Sequence, residues 1–140
     1  MSDTHEGTIL AFDFGTRKIG VALANTITGT ARALVTLDQP TAPARLQAIA
    51  SLIAEWQPLL LVVGRPVHAD GTEHAVTALA DRFAHDLHER FALPVEQVDE
   101  RYTTQVAQIG INERGRSLKD DPGRDAHAAQ IILQAWLDAR

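Results

Sequence analysis

One short apolar run constrains the fold of this chain more than any other feature. Residues Leu59–Val63 are all apolar, and Gln57-Pro58 directly before them ends any helix that arrives from upstream. A run of this length without polar alternation is typical of a strand that is buried on both faces. Such a strand needs helices on both sides of its sheet, so the run predicts an α/β architecture.

Four further segments have the composition of strands. Three of them come early in the chain and are separated by short turns, which favours an antiparallel meander. The fourth follows the second predicted helix. Together with the apolar run, the predicted strands are Thr8–Asp13, Ile19–Ala24, Ala31–Leu37, Leu59–Val63 and Pro94–Val98.

Apolar residues at helical spacing predict helices between and after these strands. The expected N-caps of the first two helices are Thr41, or a near neighbour of it, and Thr72. The apolar stripe of the first helix is Leu46, Ile49, Ile53 and Trp56, and that of the second is Val76, Leu79, Phe83 and Leu87. A shorter helix is predicted from Thr103 or Thr104 to about Ile111, and a final one from Asp125 almost to Arg140. The order βββαβαβαα predicts a single α/β domain over residues 1–140, with a mixed five-stranded sheet and helices on both faces.

Composition excludes several classes of protein and site. The 140 residues include no cysteine, which rules out disulfides, thiolate zinc sites, iron–sulfur clusters and a thiol nucleophile. The net charge of −5 argues against a protein that wraps duplex nucleic acid through bulk positive charge. We find no secretory signal and no apolar run long enough for a membrane helix, and we therefore expect a cytoplasmic protein.

Two carboxylates lie at the ends of predicted strands. Asp13 follows the apolar run Ile9–Phe12 as the last residue of its strand, and an Asx turn explains its position as well as a functional role does. Glu100 lies just past the fifth strand, on the same face as Val98 by alternation. For Glu100 alone, a solvated strand end paired loosely with Arg101 is the simpler explanation.

Asp125 is the third candidate, and helical periodicity makes it the most informative of the three. It starts a stripe on the final helix whose other members are Ala128, Ala129, Ile132 and Trp136. The small residues let the helix approach the sheet closely, so the carboxylate would point towards strand ends rather than into solvent. A role as the N-cap of this helix explains Asp125 equally well.

These carboxylates are predicted to meet at one edge of the sheet. In open α/β sheets, ligands collect at the carboxyl ends of the parallel strands, where Asp13 and Glu100 are expected. Three carboxylates placed together repel one another and raise their pKa values, and bound divalent cations resolve that conflict. Hard oxygen ligands without any cysteine favour Mg²⁺ or Mn²⁺ over zinc.

Basic side chains accompany all three acids. Each of them alone is more simply a solvated surface charge. Their positions beside Asp13, Glu100 and Asp125 nevertheless indicate contacts with phosphates. The residues that we expect to bind nucleic acid are Arg17, Lys18, Arg101, Thr103, Arg116 and Arg124.

The segments around the acids resemble the YqgF family of bacterial proteins, described as Holliday-junction-resolvase-like proteins and pre-16S ribosomal RNA nucleases. The resemblance covers nearly the whole chain, and it is carried by Ile9–Ala22, Thr28–Arg32, Val63–Pro66, Asp70–Glu73, Val98–Thr104 and Asp125–Leu137. Two places depart from the family pattern. Arg65 stands where the family often has an apolar residue, and Asp120-Asp121-Pro122 interrupts a loop that is usually richer in lysine and glycine.

The resemblance implies a ribonuclease H-like fold with an acidic triad at Asp13, Glu100 and Asp125. It implies phosphodiester hydrolysis in which Asp13 bridges two metal ions about 4 Å apart, while Glu100 and Asp125 each help to hold one of them. The expected products carry a 5′-phosphate and a 3′-hydroxyl. Many relatives in the wider superfamily use a fourth carboxylate, for which Asp99 and Asp121 are both candidates.

The resemblance favours 5′-end maturation of precursor 16S ribosomal RNA, with the ribosome as a further partner. A Holliday junction resolvase that acts on branched DNA is the first alternative, and a non-catalytic module that binds nucleic acid or the ribosome is the second. A phosphotransferase of the actin type also has Asp-x-Gly-Thr after a strand, as in Asp13–Thr16, but it needs two such domains. Both endonuclease and exonuclease action, and both a monomer and a homodimer, fit the sequence.

Overall fold

The computed structural model describes residues 7–66, 75–100 and 123–140. The strands are β1 (Thr8–Phe14), β2 (Ile19–Asn25), β3 (Thr30–Leu37), β4 (Leu60–Arg65) and β5 (Val95–Asp99), and the helices are α1 (Ala42–Trp56), α2 (Ala75–Phe91) and α3 (Arg124–Asp138). None of these helices combines the length and the apolar character needed to cross a membrane. The predicted cap Thr72, and the predicted helix that starts at Thr103 or Thr104, lie outside the described residues.

The strands form one sheet in the order β3-β2-β1-β4-β5. The short turns after β1 and β2 fold each strand back on its predecessor, so β1, β2 and β3 are antiparallel. The crossovers that contain α1 and α2 return the chain to the end of the sheet at which β1 starts. Strands β4 and β5 are therefore parallel to β1. The predicted mixed sheet is confirmed, with strand boundaries that differ by one or two residues.

Alternation along β1 divides the core between the two faces of the sheet. Leu10 and Phe12 pack with residues of α1 and α2, on what we call the α1/α2 face. Ile9 and Ala11 pack with residues of α3, on the α3 face. Residues 61–63 of the neighbouring β4 are fully buried, as the apolar run predicts for a strand covered on both sides.

Helix α1 begins and ends where its local sequence predicts. The hydroxyl of Thr41 accepts a hydrogen bond from the main-chain N–H of Ala44 at 3.2 Å, which confirms the N-cap. At the other end, Gln57 adopts a left-handed conformation with φ of 48°, and Pro58 prevents a further turn. Ile49, at the centre of the predicted stripe, is fully buried.

Helix α2 corrects one prediction. Leu79 is expected on the packed face from its spacing with Phe83, but it is 47% exposed. The buried positions are Thr77, Ala80, Phe83, Ala84 and Leu87. Ala80 lies about 100° around the helix from Leu79. The packed face centres on Ala80 because two small alanines, at 80 and 84, bring this side of the helix closest to the sheet.

Helix α3 packs along a stripe that is rotated slightly from the predicted one. Ala129 and Ile132 are buried as expected, and Ala126 and Leu133 are buried with them. Ala128 and Trp136, which were predicted on the same stripe, are only half-buried. The rotation follows from chemistry, because it buries the apolar Ala126 and leaves the neighbouring charged residue, Asp125, at the margin of the packed face.

Two glutamines attach α3 to the edge strand β3. The side-chain amide of Gln134 accepts a hydrogen bond from the main-chain N–H of Ala31 at 2.9 Å and donates one to the carbonyl oxygen of Gly29 at 3.1 Å. Gln130 donates to the carbonyl oxygen of Ala31 at 3.1 Å. These bonds fix the orientation of α3 across the antiparallel half of the sheet.

Candidate active site

Asp13 lies near the end of the central strand β1, on the α3 face. Strand alternation places it in line with Ile9 and Ala11, which pack against α3. Its register partner on β2 is Gly20. The residue is half-buried, so β1 holds a carboxylate at the margin of the core.

Gly20 allows helix α3 to begin beside Asp13. A Cβ atom at Gly20 would overlap the main-chain carbonyl group of Asp125. Because glycine has no side chain, the first turn of α3 rests directly on β2. Asp125 is thereby placed next to the register partner of Asp13, which is how a residue near the end of the chain reaches one near its beginning.

The structure also corrects the predicted start of α3. The helix begins at Arg124, and its N-cap position is Gly123, with φ of 108°. Asp125 is therefore the second helical residue and not the N-cap. Glycine adopts this positive φ without strain, which explains why a residue with no capping side chain occupies the position. Asp125 still lies in the first turn, where the helix dipole favours a negative charge.

Glu100 follows β5 directly, and its main-chain N–H donates a hydrogen bond to the carbonyl oxygen of Arg65 at 3.1 Å. Its predicted face is consistent with its neighbours on β5. Val98 packs in the core cluster beneath α3, and Glu96 accepts a hydrogen bond from Nε1 of Trp136 on α3 at 2.8 Å. Glu100 therefore shares the α3 face with Asp13.

Gly64 provides the space that the Glu100 carboxyl occupies. A Cβ atom at Gly64 would overlap Oε2 of Glu100 and approach Cδ1 of Ile132 to 2.5 Å. Two glycines, on the strands either side of β1, thus leave room on the α3 face. One accommodates the start of α3 and the other accommodates the side chain of Glu100.

The carboxyl groups of Asp13 and Glu100 are hydrogen-bonded to each other. Burial and then the charge of Asp125 raise the pKa of Asp13 to about 6, against the opposing effect of the hydrogen bond. Burial raises the pKa of Glu100 to about 8, with smaller contributions from the charge of Asp13, the hydrogen bond and the charge of Asp99. Near neutral pH the pair therefore retains a proton that a cation could displace.

One oxygen of this pair is available as a ligand. Within the described part of the chain, the buried Oε2 of Glu100 has no hydrogen-bond partner, which is unusual for a buried polar atom. The three acids do not form a ready-made metal site, since no three His, Cys, Asp or Glu residues are so grouped among the residues described. Asp13 and Glu100 are in contact, and Asp125 acts on Asp13 through its charge.

Glu100→Gln is expected to stabilise the metal-free protein at pH 8 and to change its stability little at pH 4.5. The pKa of Glu100 rises from 4.5 to about 8 on folding, so the native state loses stability as the pH rises across that interval. The amide keeps the shape of the side chain without its charge. Thermal unfolding in EDTA should give a melting temperature a few degrees above wild type at pH 8.

The control for this measurement is Glu89→Gln, which changes an exposed carboxyl on α2. It should leave the melting temperature unchanged at both pH values. An equal decrease of the melting temperature at pH 4.5 and pH 8 would contradict the prediction. It would mean that ionisation of Glu100 does not destabilise the folded protein.

The residues expected to bind nucleic acid fall into two groups. Arg17 and Lys18 are exposed in the turn between β1 and β2, and Arg124 is exposed at the first position of α3. These three follow Asp13 or precede Asp125 closely in the chain. The other three, Arg101, Thr103 and Arg116, lie outside the described residues.

Of the two candidates for a fourth carboxylate, one lies within the described residues and the other does not. Asp99 is exposed and lies one residue before Glu100, so alternation directs it to the opposite face of β5. The neighbouring Gln97, on that same face, donates a hydrogen bond to Asp81 of α2 at 2.9 Å. Asp121 lies outside the described residues.

A contact that sequence analysis missed holds the turn after β1. From α1, Nη2 of Arg45 donates hydrogen bonds to the carbonyl oxygens of Thr16 at 2.7 Å and Arg17 at 3.1 Å. Its Nε donates to the carbonyl oxygen of Gln39 at 3.0 Å. No local pattern marks Arg45, because its partners are main-chain oxygens and two of them are distant in the chain.

Arg45→Met is expected to lower the free energy of unfolding by about 1–3 kcal/mol, since three hydrogen bonds from a charged donor are lost while the apolar stem is kept. Chemical denaturation measures the loss, and amide hydrogen exchange should accelerate at residues 16–18. Arg17→Met is the matched control, because the Arg17 side chain is exposed and its removal should change stability by less than about 0.5 kcal/mol. Equal losses in the two variants would contradict the role of Arg45.

Arg65, the departure from the family pattern, has a partner on α2. Its Nε and Nη2 donate to the two carboxylate oxygens of Asp81 at 2.9 and 3.2 Å. The hydrogen bonds from Arg65 and Gln97 hold the pKa of Asp81 below its usual value. The arginine that replaces an apolar residue is thus paired with an acid on the neighbouring helix α2. The pair lies at the end of β4, where the main-chain N–H of Glu100 is also bonded.

Two comparisons of the sequence agree with each other. The family described as RuvX, Holliday junction resolvase, matches residues 7–139. A protein of Nitrosomonas europaea named "Putative pre-16S rRNA nuclease" is 50% identical over 139 residues, which cover 99% of this chain and 94% of the relative.

Two solved structures are similar to this fold. RuvC of Thermus thermophilus, in complex with a Holliday junction substrate, aligns with a TM-score of 0.59 at 18% identity, over 96% of this chain and 95% of that one. The Fowlpox virus resolvase, in complex with Holliday junction DNA, aligns with a TM-score of 0.60 at 9% identity, over 94% of this chain and 97% of that one. The similarity confirms the predicted fold class.

Proposed function

This chain belongs to the RuvX (YqgF) family, and from that premise we propose that it is a metal-dependent nuclease that hydrolyses phosphodiester bonds. The observation that carries the proposal is the pair of carboxyl groups at Asp13 and Glu100. They are hydrogen-bonded to each other, their pKa values are raised, and a buried oxygen of Glu100 is left without a partner in the described part of the chain. A purely structural role would not require that arrangement.

Divalent cations fit the chemistry of this site. Asp13, Glu100 and Asp125 offer only hard oxygen ligands, which Mg²⁺ and Mn²⁺ prefer. We propose that these three residues would hold two such ions. Bound there, the ions would supply an activated water and stabilise the leaving 3′ oxygen.

The protein's own side chains prepare the site for cation and substrate. On binding a cation, Asp13 and Glu100 release the proton that they retain near neutral pH, so affinity for the cation should rise with pH. We propose that Arg17, Lys18 and Arg124, which are exposed and close in the chain to Asp13 or Asp125, contact phosphates of the substrate. We propose that Arg101, Thr103 and Arg116 extend this surface.

We propose that the substrate is the 5′ region of precursor 16S ribosomal RNA, as the name of the 50% identical relative suggests. A ribosomal precursor particle would then be the partner, in the cytoplasm, and a monomer would suffice to trim an end. The description of the matching family favours a second candidate, in which a homodimer resolves branched DNA.

The test compares two substrates with the same protein preparation. One is an RNA that spans the 5′ end of mature 16S ribosomal RNA, and the other is a synthetic four-way DNA junction, each with Mg²⁺ or Mn²⁺. Metal-dependent cleavage of the RNA alone is the expected result. Paired symmetric cuts in the junction would instead identify a resolvase, and cleavage of neither substrate would favour a module that only binds.

A further inference from the structure

A groove on the α1/α2 face opens beside the end of β1. Its volume is about 190 Å³, and the apolar residues that line it include Phe14, which is half-buried, Phe83, which is buried, and the exposed Leu79. The two ring centroids lie 5.0 Å apart at an angle of 36°. Leu79 is 47% exposed here, although its spacing predicts burial. The groove therefore leaves uncovered an apolar surface that folding alone would tend to bury.

Polar groups of both signs stand at the rim of this groove. Arg82 and Asp86 line the groove, one with a hydrogen-bond donor and the other with an acceptor, and Arg45 adds a positive charge although its Nε and Nη2 are bonded to main-chain oxygens. An apolar floor with a few polar groups at its edge is typical of a binding site. A nucleobase has the complementary chemistry, since its faces are apolar and its edge carries donors and acceptors. In a chain with net charge −5, two arginines at one groove also provide a local attraction for a phosphate backbone.

The groove is continuous with the surface proposed to bind substrate. Phe14 directly follows Asp13, so the groove and the acidic site lie on opposite faces of the same strand end. Arg45, at the rim, also bonds to the carbonyl oxygens of Thr16 and Arg17 in the turn between them. A nucleic acid strand that crosses this turn from the acids would bring a nearby nucleotide to the groove.

We propose that the groove binds one unstacked pyrimidine base of single-stranded RNA, close to the phosphodiester held at the acidic site. The proposal rests on the proposed function and narrows its substrate to a strand that is unpaired at this position. A cavity of about 150 Å³ holds benzene. A groove of about 190 Å³ is therefore of the size that a single six-membered ring fills.

Binding of two ten-nucleotide RNAs tests this proposal. One is all adenylate, and the other has a single uridine at its centre, which fixes the register. Both are labelled with fluorescein, and anisotropy is measured on full-length protein with Asp13→Asn to prevent cleavage. Stacking of one base on aromatic side chains predicts a dissociation constant about 5- to 100-fold lower for the RNA that contains uridine. A ratio near one overturns the proposal.

Three variants locate the effect. Leu79→Ser removes apolar surface from the groove at a half-exposed position, and it should bring the ratio close to one. Arg82→Ala removes a donor at an exposed position of the rim and should lower the ratio without touching the core. Ile27→Ser is the matched control, because Ile27 is an apolar residue that is 74% exposed and belongs to the turn between β2 and β3. It should leave the ratio unchanged.

Other outcomes overturn the proposal or separate it from the nuclease activity. If Leu79→Ser leaves the ratio unchanged but dissociates a dimer in sedimentation, the groove is a contact between copies of the chain. If the ratio is near one while the wild type cleaves the ribosomal RNA, the groove proposal fails and the nuclease proposal stands. A clear uridine preference in a protein that cleaves neither substrate supports the groove and contradicts the nuclease.

Discussion

Asp13→Asn is expected to lower the rate of metal-dependent cleavage at least 1,000-fold, which corresponds to about 4 kcal/mol of transition-state stabilisation. The residue is central to the site, because it is hydrogen-bonded to Glu100 and close enough to Asp125 to be affected by its charge. An amide has the size of a carboxylate but lacks the charge that holds a divalent cation. Single-turnover cleavage of the substrate that the wild type cuts measures the effect.

Two further measurements separate catalysis from folding and binding. Asp38→Asn, at an exposed carboxyl after β3, is the control and should retain full activity. Without metal, Asp13→Asn should melt at or above the wild-type temperature, because a half-buried carboxylate next to Asp125 is removed. It should still bind RNA. Cleavage that survives Asp13→Asn would place the active site elsewhere in the chain.

Gly20→Ala is expected to lower the free energy of unfolding by about 3 kcal/mol and the cleavage rate by at least about tenfold. The added Cβ would overlap the carbonyl group of Asp125 and lie 2.7 Å from the main-chain nitrogen of Ala126. These are main-chain atoms of a helix, so no side chain can rotate away and α3 itself must move. Asp125 then moves relative to Asp13. Urea denaturation and single-turnover kinetics measure the two losses.

Gly29→Asn provides the comparison for this variant. Gly29 lies in the turn between β2 and β3, and nothing lies within 4 Å of a Cβ built there. Its φ of 70° is a conformation that asparagine tolerates. Stability should change by less than about 1 kcal/mol, with full activity. A Gly20→Ala protein as stable and active as this control would mean that α3 does not depend on close contact with β2.

Much of the fold follows from patterns that are local in the sequence. The run Leu59–Val63 predicts a doubly buried strand, and Thr41 and Pro58 mark the ends of α1, because each acts on the backbone within a few residues. Leu79 shows where such patterns fail. Helical spacing identifies a broad apolar arc, and the side chain within it that is buried depends on the small residues that let the helix approach the sheet.

The candidate site was predictable in its residues but not in its geometry. Asp13 and Glu100 could be recognised because each places a charged side chain at the end of an apolar strand, next to the core. The position of the Glu100 carboxyl depends on Gly64 and the approach of Asp125 depends on Gly20, and both glycines matter through the side chains that they lack. The sequence pattern of β2 or β4 does not show which atoms of α3, or which side chain after β5, will occupy the space beside its glycine. Arg45 escaped prediction for a related reason, since its partners are carbonyl oxygens that every residue carries.

The glutamines of α3 also affect how this chain can associate with other chains. An edge strand offers a template on which a foreign strand can add and begin to aggregate. At the start of β3, that template is already occupied, because both main-chain groups of Ala31 and the carbonyl of Gly29 are bonded to Gln130 and Gln134. A strand could add there only after breaking these bonds. The helix that carries Asp125 thus also shields one end of the sheet's edge from amyloid-like growth.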